Sequence, residues 1–216
     1  MTLTNSKRSK NTEQEFQFNL EESDRVIQFK IVYWGPGESG KTTNFRILRN
    51  NLRVVKLTNG YSIETTDGRT LWHDSIYLAF PIPIGDVNYN IITQIVTCTG
   101  QERFLATREY VLNGADGVVF IGDSDKQKLE ENKRSFRELI GFTSKAGIPY
   151  VVQLNKRDLE NAISVMEFKK QLRLPLFKNY PDGSKVLYLA VAIEGEEVME
   201  AFWDLMLQVI QNYFQS

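Results

Sequence analysis

The chain has 216 residues and a mass of 24.9 kDa, and its 26 Lys and Arg against 27 Asp and Glu leave a net charge of −1. That balance supplies no basic face for a phosphate backbone and argues against a nucleic-acid partner. Every apolar run is broken well short of the ~20 residues of a membrane helix, no apolar secretory centre stands near Met1, and the single cysteine excludes an internal disulfide framework, so a cytoplasmic protein is expected.

Residues 1–24 are polar and charged, with Phe16, Phe18 and Leu20 as their main apolar surface, and read as a flexible N-terminal arm. One domain is expected over 25–216. Ile27, Phe29, Ile31 and Tyr33 alternate as in a strand that stops at Gly35-Pro36-Gly37, and Lys41 to Asn51 follows as a helix. Val54 to Leu57 is too short for a helix, and a long loop runs on to Thr70. Thr70 to Phe80 and Tyr89 to Thr97 read as an antiparallel pair joined through Pro81, Pro83 and Gly85-Asp86. Helices and buried strands then alternate: helix Arg103 to Leu112, strand Gly117 to Ile121, helix Lys126 to Ala146, strand Pro149 to Leu154, helix Val165 to Leu172, strand Val186 to Val191. A last helix, Glu196 to Phe214, carries Val198, Ala201, Phe202, Leu205 and Val209 on one stripe. Uniformly apolar strands between helices predict a three-layer α/β fold around a mostly parallel sheet with one reversed edge strand.

Gly35, four residues, then Gly40-Lys41-Thr42 is the spacing of a phosphate loop, and it lies between a strand and a helix. Main-chain amides from Gly35, Gly37, Glu38, Ser39 and Gly40 through Thr43 would face an anion at the positive end of the helix. The Lys41 ammonium would reach the outer phosphates, and the Thr42 hydroxyl would ligate Mg2+. Asn155-Lys156-Arg157-Asp158 ends a strand at the carboxyl edge of the sheet. Asp158 suits guanine, whose ring N–H and exocyclic amine it can accept together, while Asn155 would tie the strand to the phosphate loop and the Lys156 stem would cover the base. Ala192 and Ile193, after the last strand, offer amides to the guanine carbonyl.

At the close of another strand, Gly100 can approach the terminal phosphate, and Gln101 can orient an attacking water. Thr70 can complete magnesium coordination. Its neighbour Arg69 is either an internal arginine finger or a solvated loop charge. His73, as the only histidine, assembles no metal cluster. Cys98 reads as packing, the charges of 126–138 as a solvated helix face, and Trp34, Trp72 and Trp203 as core or interface anchors.

Over residues 25 to 214 the chain resembles the Ras-like small GTPases, and within them the bacterial MglA family of gliding-motility and cell-polarity GTPases. The resemblance is carried by KIVYWGPGESGKTTN at 30–44, GRTLWHD at 68–74, TCTGQERF at 97–104, GADGVVF at 114–120, IPYVVQLNKRD at 148–158 and AVAIEGEEVMEAF at 190–202. It implies six strands and five helices, GTP and GDP as ligands with Mg2+, slow intrinsic GTP hydrolysis, and an MglB-like roadblock activator that positions Arg69 and Gln101. It also implies polarity effectors bound in the GTP form, recruitment to cell poles through partners and a monomer when free. No myristoyl or prenyl signal is present, so no direct lipid anchor is expected. Ordinary Ras relatives carry an Asp where Thr97 stands, as the MglA family does not. That substitution keeps a second reading open, a GTP-locked scaffold that hardly hydrolyses, and the phosphate loop by itself leaves a third, an ATP-dependent kinase or ATPase.

Overall fold

The computed structural model describes residues 25–52, 55–56, 75–98, 110–181 and 183–215. Seven strands form one sheet: β1 (Val26–Trp34), β2 (Val55–Lys56), β3 (Ser75–Ile84), β4 (Val87–Thr97), β5 (Gly117–Asp123), β6 (Tyr150–Asn155) and β7 (Tyr188–Leu189), in the order β2-β3-β4-β1-β5-β6-β7. From β4 through β7 the pairings are parallel, and β3 runs against both β4 and β2. The four helices described in full are α1 (Lys41–Asn51), α2 (Leu129–Ala146), α3 (Val165–Leu172) and α4 (Val198–Gln215).

Strand periodicity sorts the core. On β1, Ile27, Phe29, Ile31 and Tyr33 join α1 and α4 in one apolar cluster, while Val32 and Trp34 point to the opposite cluster with Phe136 of α2 and Phe168 of α3. β5 divides in the same way, Val119 and Ile121 to the first side, Val118 and Phe120 to the second. The α/β/α sandwich expected from the sequence results, and all five stripe residues of α4 are buried. Trp34 is locked by its indole N–H, which donates to the Ser135 carbonyl of α2 at 2.9 Å.

Most boundaries move by one or two residues, and three differ from expectation in kind. Pro81 and Pro83 belong to β3 itself, opposite Asn90 and Asn88, and the connection is only Gly85-Asp86. Two prolines of the same parity turn their missing donors to one side, the outer edge of β3, beyond the two residues that β2 pairs. A 3-10 turn, Lys126–Lys128, precedes α2. The Val186 to Val191 strand shrinks to Tyr188–Leu189, because an apolar run reports burial and not ladder pairing. The N-terminal arm, most of the loop that leads to Thr70 and most of the expected Arg103 to Leu112 helix lie outside the described residues, although Tyr110, Val111 and Leu112 are helical. Among the described residues, no helix is long and apolar enough to cross a membrane.

Candidate functional site

The phosphate loop leaves β1 at Gly35 and enters α1 after Gly40. A Cβ at Gly35 would collide with the main-chain oxygen of Ile121, and one at Gly40 with the Asn155 side-chain amide, so neither position has room for a side chain. Gly40 is also the N-cap of α1 and brings no capping side chain, and the positive end of the helix dipole lies at the loop. Lys41 is buried, its ammonium donating to the carbonyls of Gly35 (3.1 Å) and Pro36 (2.5 Å). Thr42 and Thr43 are half-buried in the first helical turn, and Ser39 is buried with its hydroxyl unpartnered.

Asn155, the last residue of β6, joins this loop to the other side of the site. Its Nδ2 donates to the Ser39 carbonyl at 2.9 Å, and its Oδ1 accepts the Ala192 amide at 2.9 Å. The amide read from the sequence as a donor to a base is thus engaged with Asn155, and the next residue, Ile193, is 72% exposed. Lys156 follows with a φ of 63°, a left-handed turn that sends the chain off the sheet edge. Its ammonium donates to Asp123 Oδ2 at 2.8 Å. Arg157 anchors the turn through Ser124 Oγ (3.1 Å) and the Ile163 carbonyl (2.8 Å), and burial lowers its pKa. Asp158 is exposed, with no hydrogen bond or ion pair among the described residues.

Sequence reasoning missed three supports. Asp123 is fully buried at the end of β5, accepting from Lys156 and, through Oδ1, from the Asp125 amide at 2.9 Å, while Asn132 of α2 exchanges two hydrogen bonds with its main chain. Lys128 lies 3.7 Å from Glu38 of the phosphate loop and also bonds Glu131 at 3.0 Å. The Glu131 hydrogen bond, with the carboxylates of Glu131, Glu38 and Asp123 nearby, raises the Lys128 pKa against the opposing effect of burial. Asn44 and Gln153 meet beneath the loop at 2.9 Å. The available signal was a polar residue inside an apolar run, Gln153 in YVVQLN and Asp123 in GVVFIGD. Arg69, Thr70, Gly100 and Gln101 lie outside the described residues, as do Trp72 and His73. Thr97, at the end of β4, is buried and stands opposite Tyr33.

A mixed sheet in this strand order, with a glycine-bounded loop between β1 and α1, is the Ras-like form of the phosphate-loop α/β proteins. Residues 84–209 match the ADP-ribosylation factor family. The chain is 36% identical over 184 residues, 82% of its length and 88% of the relative's, to the mutual gliding-motility protein MglA of Myxococcus xanthus (strain DK1622). It is 32% identical over 148 residues (68% and 66%) to ADP-ribosylation factor-like protein 4A of Homo sapiens, and 23% over 175 (80% and 81%) to ADP-ribosylation factor K of Dictyostelium discoideum. The chain belongs to the Arf/Ras-like small GTPases, a family of GTP-binding molecular switches.

This family generally uses Mg2+ with its guanine nucleotide, and the donors of this chain fit that ion. The Thr42 hydroxyl sits one residue past Lys41 at the start of α1. Among the described residues, no group of three or more His, Cys, Asp or Glu forms a cage. An ion held through one hydroxyl, phosphate oxygens and water suits Mg2+, which surrenders its waters reluctantly.

Proposed function

We propose that this chain is a guanine-nucleotide switch of the MglA kind, which binds GTP with Mg2+, hydrolyses it slowly to GDP and phosphate, and engages polarity or motility effectors in the GTP form. Gly35, Gly37, Glu38, Ser39, Gly40, Lys41, Thr42, Thr43 and Gly100 hold the phosphates, and Asn155, Lys156, Asp158, Ala192 and Ile193 form the base side. Thr42 and Thr70 are the magnesium ligands. Lys41 neutralises charge on the outer phosphates, Gln101 orients the water, and Arg69 stabilises the transferring phosphoryl group. An MglB-like roadblock protein accelerates hydrolysis by settling Arg69 and Gln101. The chain acts in the cytoplasm and reaches the cell poles through such partners.

One observation carries this reading. Asn155 bonds Ser39 of the phosphate loop on one side and Ala192 on the other, so a single side chain couples the phosphate grip to the base-side turn. Asp158, three residues on, presents an exposed carboxylate to a ligand's paired donors.

Competition against a fluorescent GDP analogue tests the assignment. GTP and GDP displace it, ATP does not at a thousandfold excess, and Asp158→Ala weakens GDP binding about a hundredfold, since two bonds to a carboxylate are lost. Equal displacement by ATP overturns the role of Asp158. Buried Thr97, with a hydroxyl where ordinary Ras relatives carry a carboxylate, favours a second reading, a GTP-locked scaffold. Single-turnover hydrolysis separates the two: a switch releases phosphate, and Gln101→Leu or Arg69→Ala slows that release at least about tenfold. A chain that retains GTP unhydrolysed is the scaffold.

A further inference from the structure

On the face of the sheet covered by α1 and α4, two amide side chains meet under the phosphate loop. Gln153 stands in β6 between Val151 and Asn155 on that face, and Asn44 lies in the first turns of α1; both are fully buried. Gln153 Nε2 donates to Asn44 Oδ1 at 2.9 Å, and Asn44 Nδ2 donates at 3.0 Å to the Gly40 carbonyl, beside the first helical bond from the Asn44 main-chain amide, also 3.0 Å. Chemistry fixes the sense of both amides. A carbonyl only accepts, so Asn44 turns its NH2 to Gly40 and its oxygen to Gln153, which must answer with its own NH2. Two residues along β6, Asn155 holds the Ser39 carbonyl directly. One strand therefore grips two successive carbonyls of the loop, the second through an intermediary on α1.

Packing alone does not explain this pair. Gln153 Oε1 is buried with no hydrogen-bond partner, and an orphaned buried acceptor destabilises a fold. Apolar side chains of similar volume would fill the same space without that penalty. An arrangement that is not the most stable one available calls for a gain elsewhere, and the group it holds belongs to the residue that opens α1.

We infer that Asn44 and Gln153 are a positioning pair, which fixes the Gly40 carbonyl, and with it the amides at the start of α1, in the orientation that retains a nucleotide's phosphates. The pair acts through the loop and touches no reacting atom. The inference rests on the nucleotide-binding reading above.

The test sets nucleotide retention against stability in the full chain, using the near-isosteric double variant Asn44→Leu/Gln153→Met. A positioning pair predicts that its unfolding midpoint without nucleotide equals or exceeds that of the unmodified chain, while release of a fluorescent GDP analogue is about tenfold faster. Release at the unmodified rate overturns the inference. Should the double variant fail to fold, Gln153→Met alone decides: release about threefold faster at an unchanged midpoint supports the pair, and an unchanged rate overturns it. If the unmodified chain does not retain the analogue, the nucleotide reading itself falls, a result distinct from a variant that matches a retaining parent.

Discussion

A side chain at position 35 has nowhere to go. Its first carbon would meet the Ile121 carbonyl, main chain in the middle of β5, and the local φ of 156° is one that L residues rarely adopt. Neither β5 nor the loop can step aside without losing its hydrogen bonds. Gly35→Ala is therefore expected to cost about 2 kcal/mol or more, a fall of about 4–8 °C in the thermal midpoint followed by circular dichroism. Glu38, three residues on, holds a left-handed φ of 64° and carries a partly exposed carboxylate on the loop. The Lys128 ammonium offsets that charge from across the loop at 3.7 Å, and because both side chains are partly exposed the pair matters for the local field more than for stability. The glycine turn that feeds α1 at Lys41 was legible in the sequence because glycine spacing dictates the local backbone. Lys128, Asp123 and Asn44 were not. Each does its work with a partner distant in sequence, such as the 109 positions between Asn44 and Gln153, and periodicity reports a face without naming what lies across from it.

Among elements, α2 offers the plainest test of local propensity. Gly141 lies on its exposed side, and a Cβ there would meet nothing within 4 Å. Gly141→Ala should raise stability by about 1 kcal/mol through backbone entropy alone, seen as a shift of the urea midpoint at constant slope. Element types were read well where one residue pattern has one meaning: alternation gave β1, and the stripe of α4 gave its buried face. Boundaries failed where a residue has two meanings. Pro81 and Pro83 mark a turn in most contexts and an unpaired rim in this one, and the apolar letters around Tyr188 and Leu189 describe burial for strand and loop alike. The 3-10 turn at Lys126–Lys128 is held by Asp125, whose carboxylate accepts the Gln127 amide, a local bond that the charge pattern of 126–138 conceals.

At the scale of the molecule, the candidate site is a seam. The phosphate loop belongs to β1 and α1, the base-side turn to β6, and the Ala192 segment to the chain after β7, with Asn155 as a direct link between all three. A ligand spanning that seam binds the folded chain only, so GDP at a hundred times its dissociation constant should add about 2.7 kcal/mol, or about 5–11 °C of thermal midpoint for a chain of this length. Chelating Mg2+ should remove part of that gain in a thermal-shift assay, and a midpoint indifferent to GDP would contradict the proposed ligand. The prolines of β3 have their own consequence at this scale. By withholding two donors from the far half of a long hairpin, they make its margin a poor template for the backbone of a sister molecule, which guards that stretch against fibril growth and end-to-end stacking.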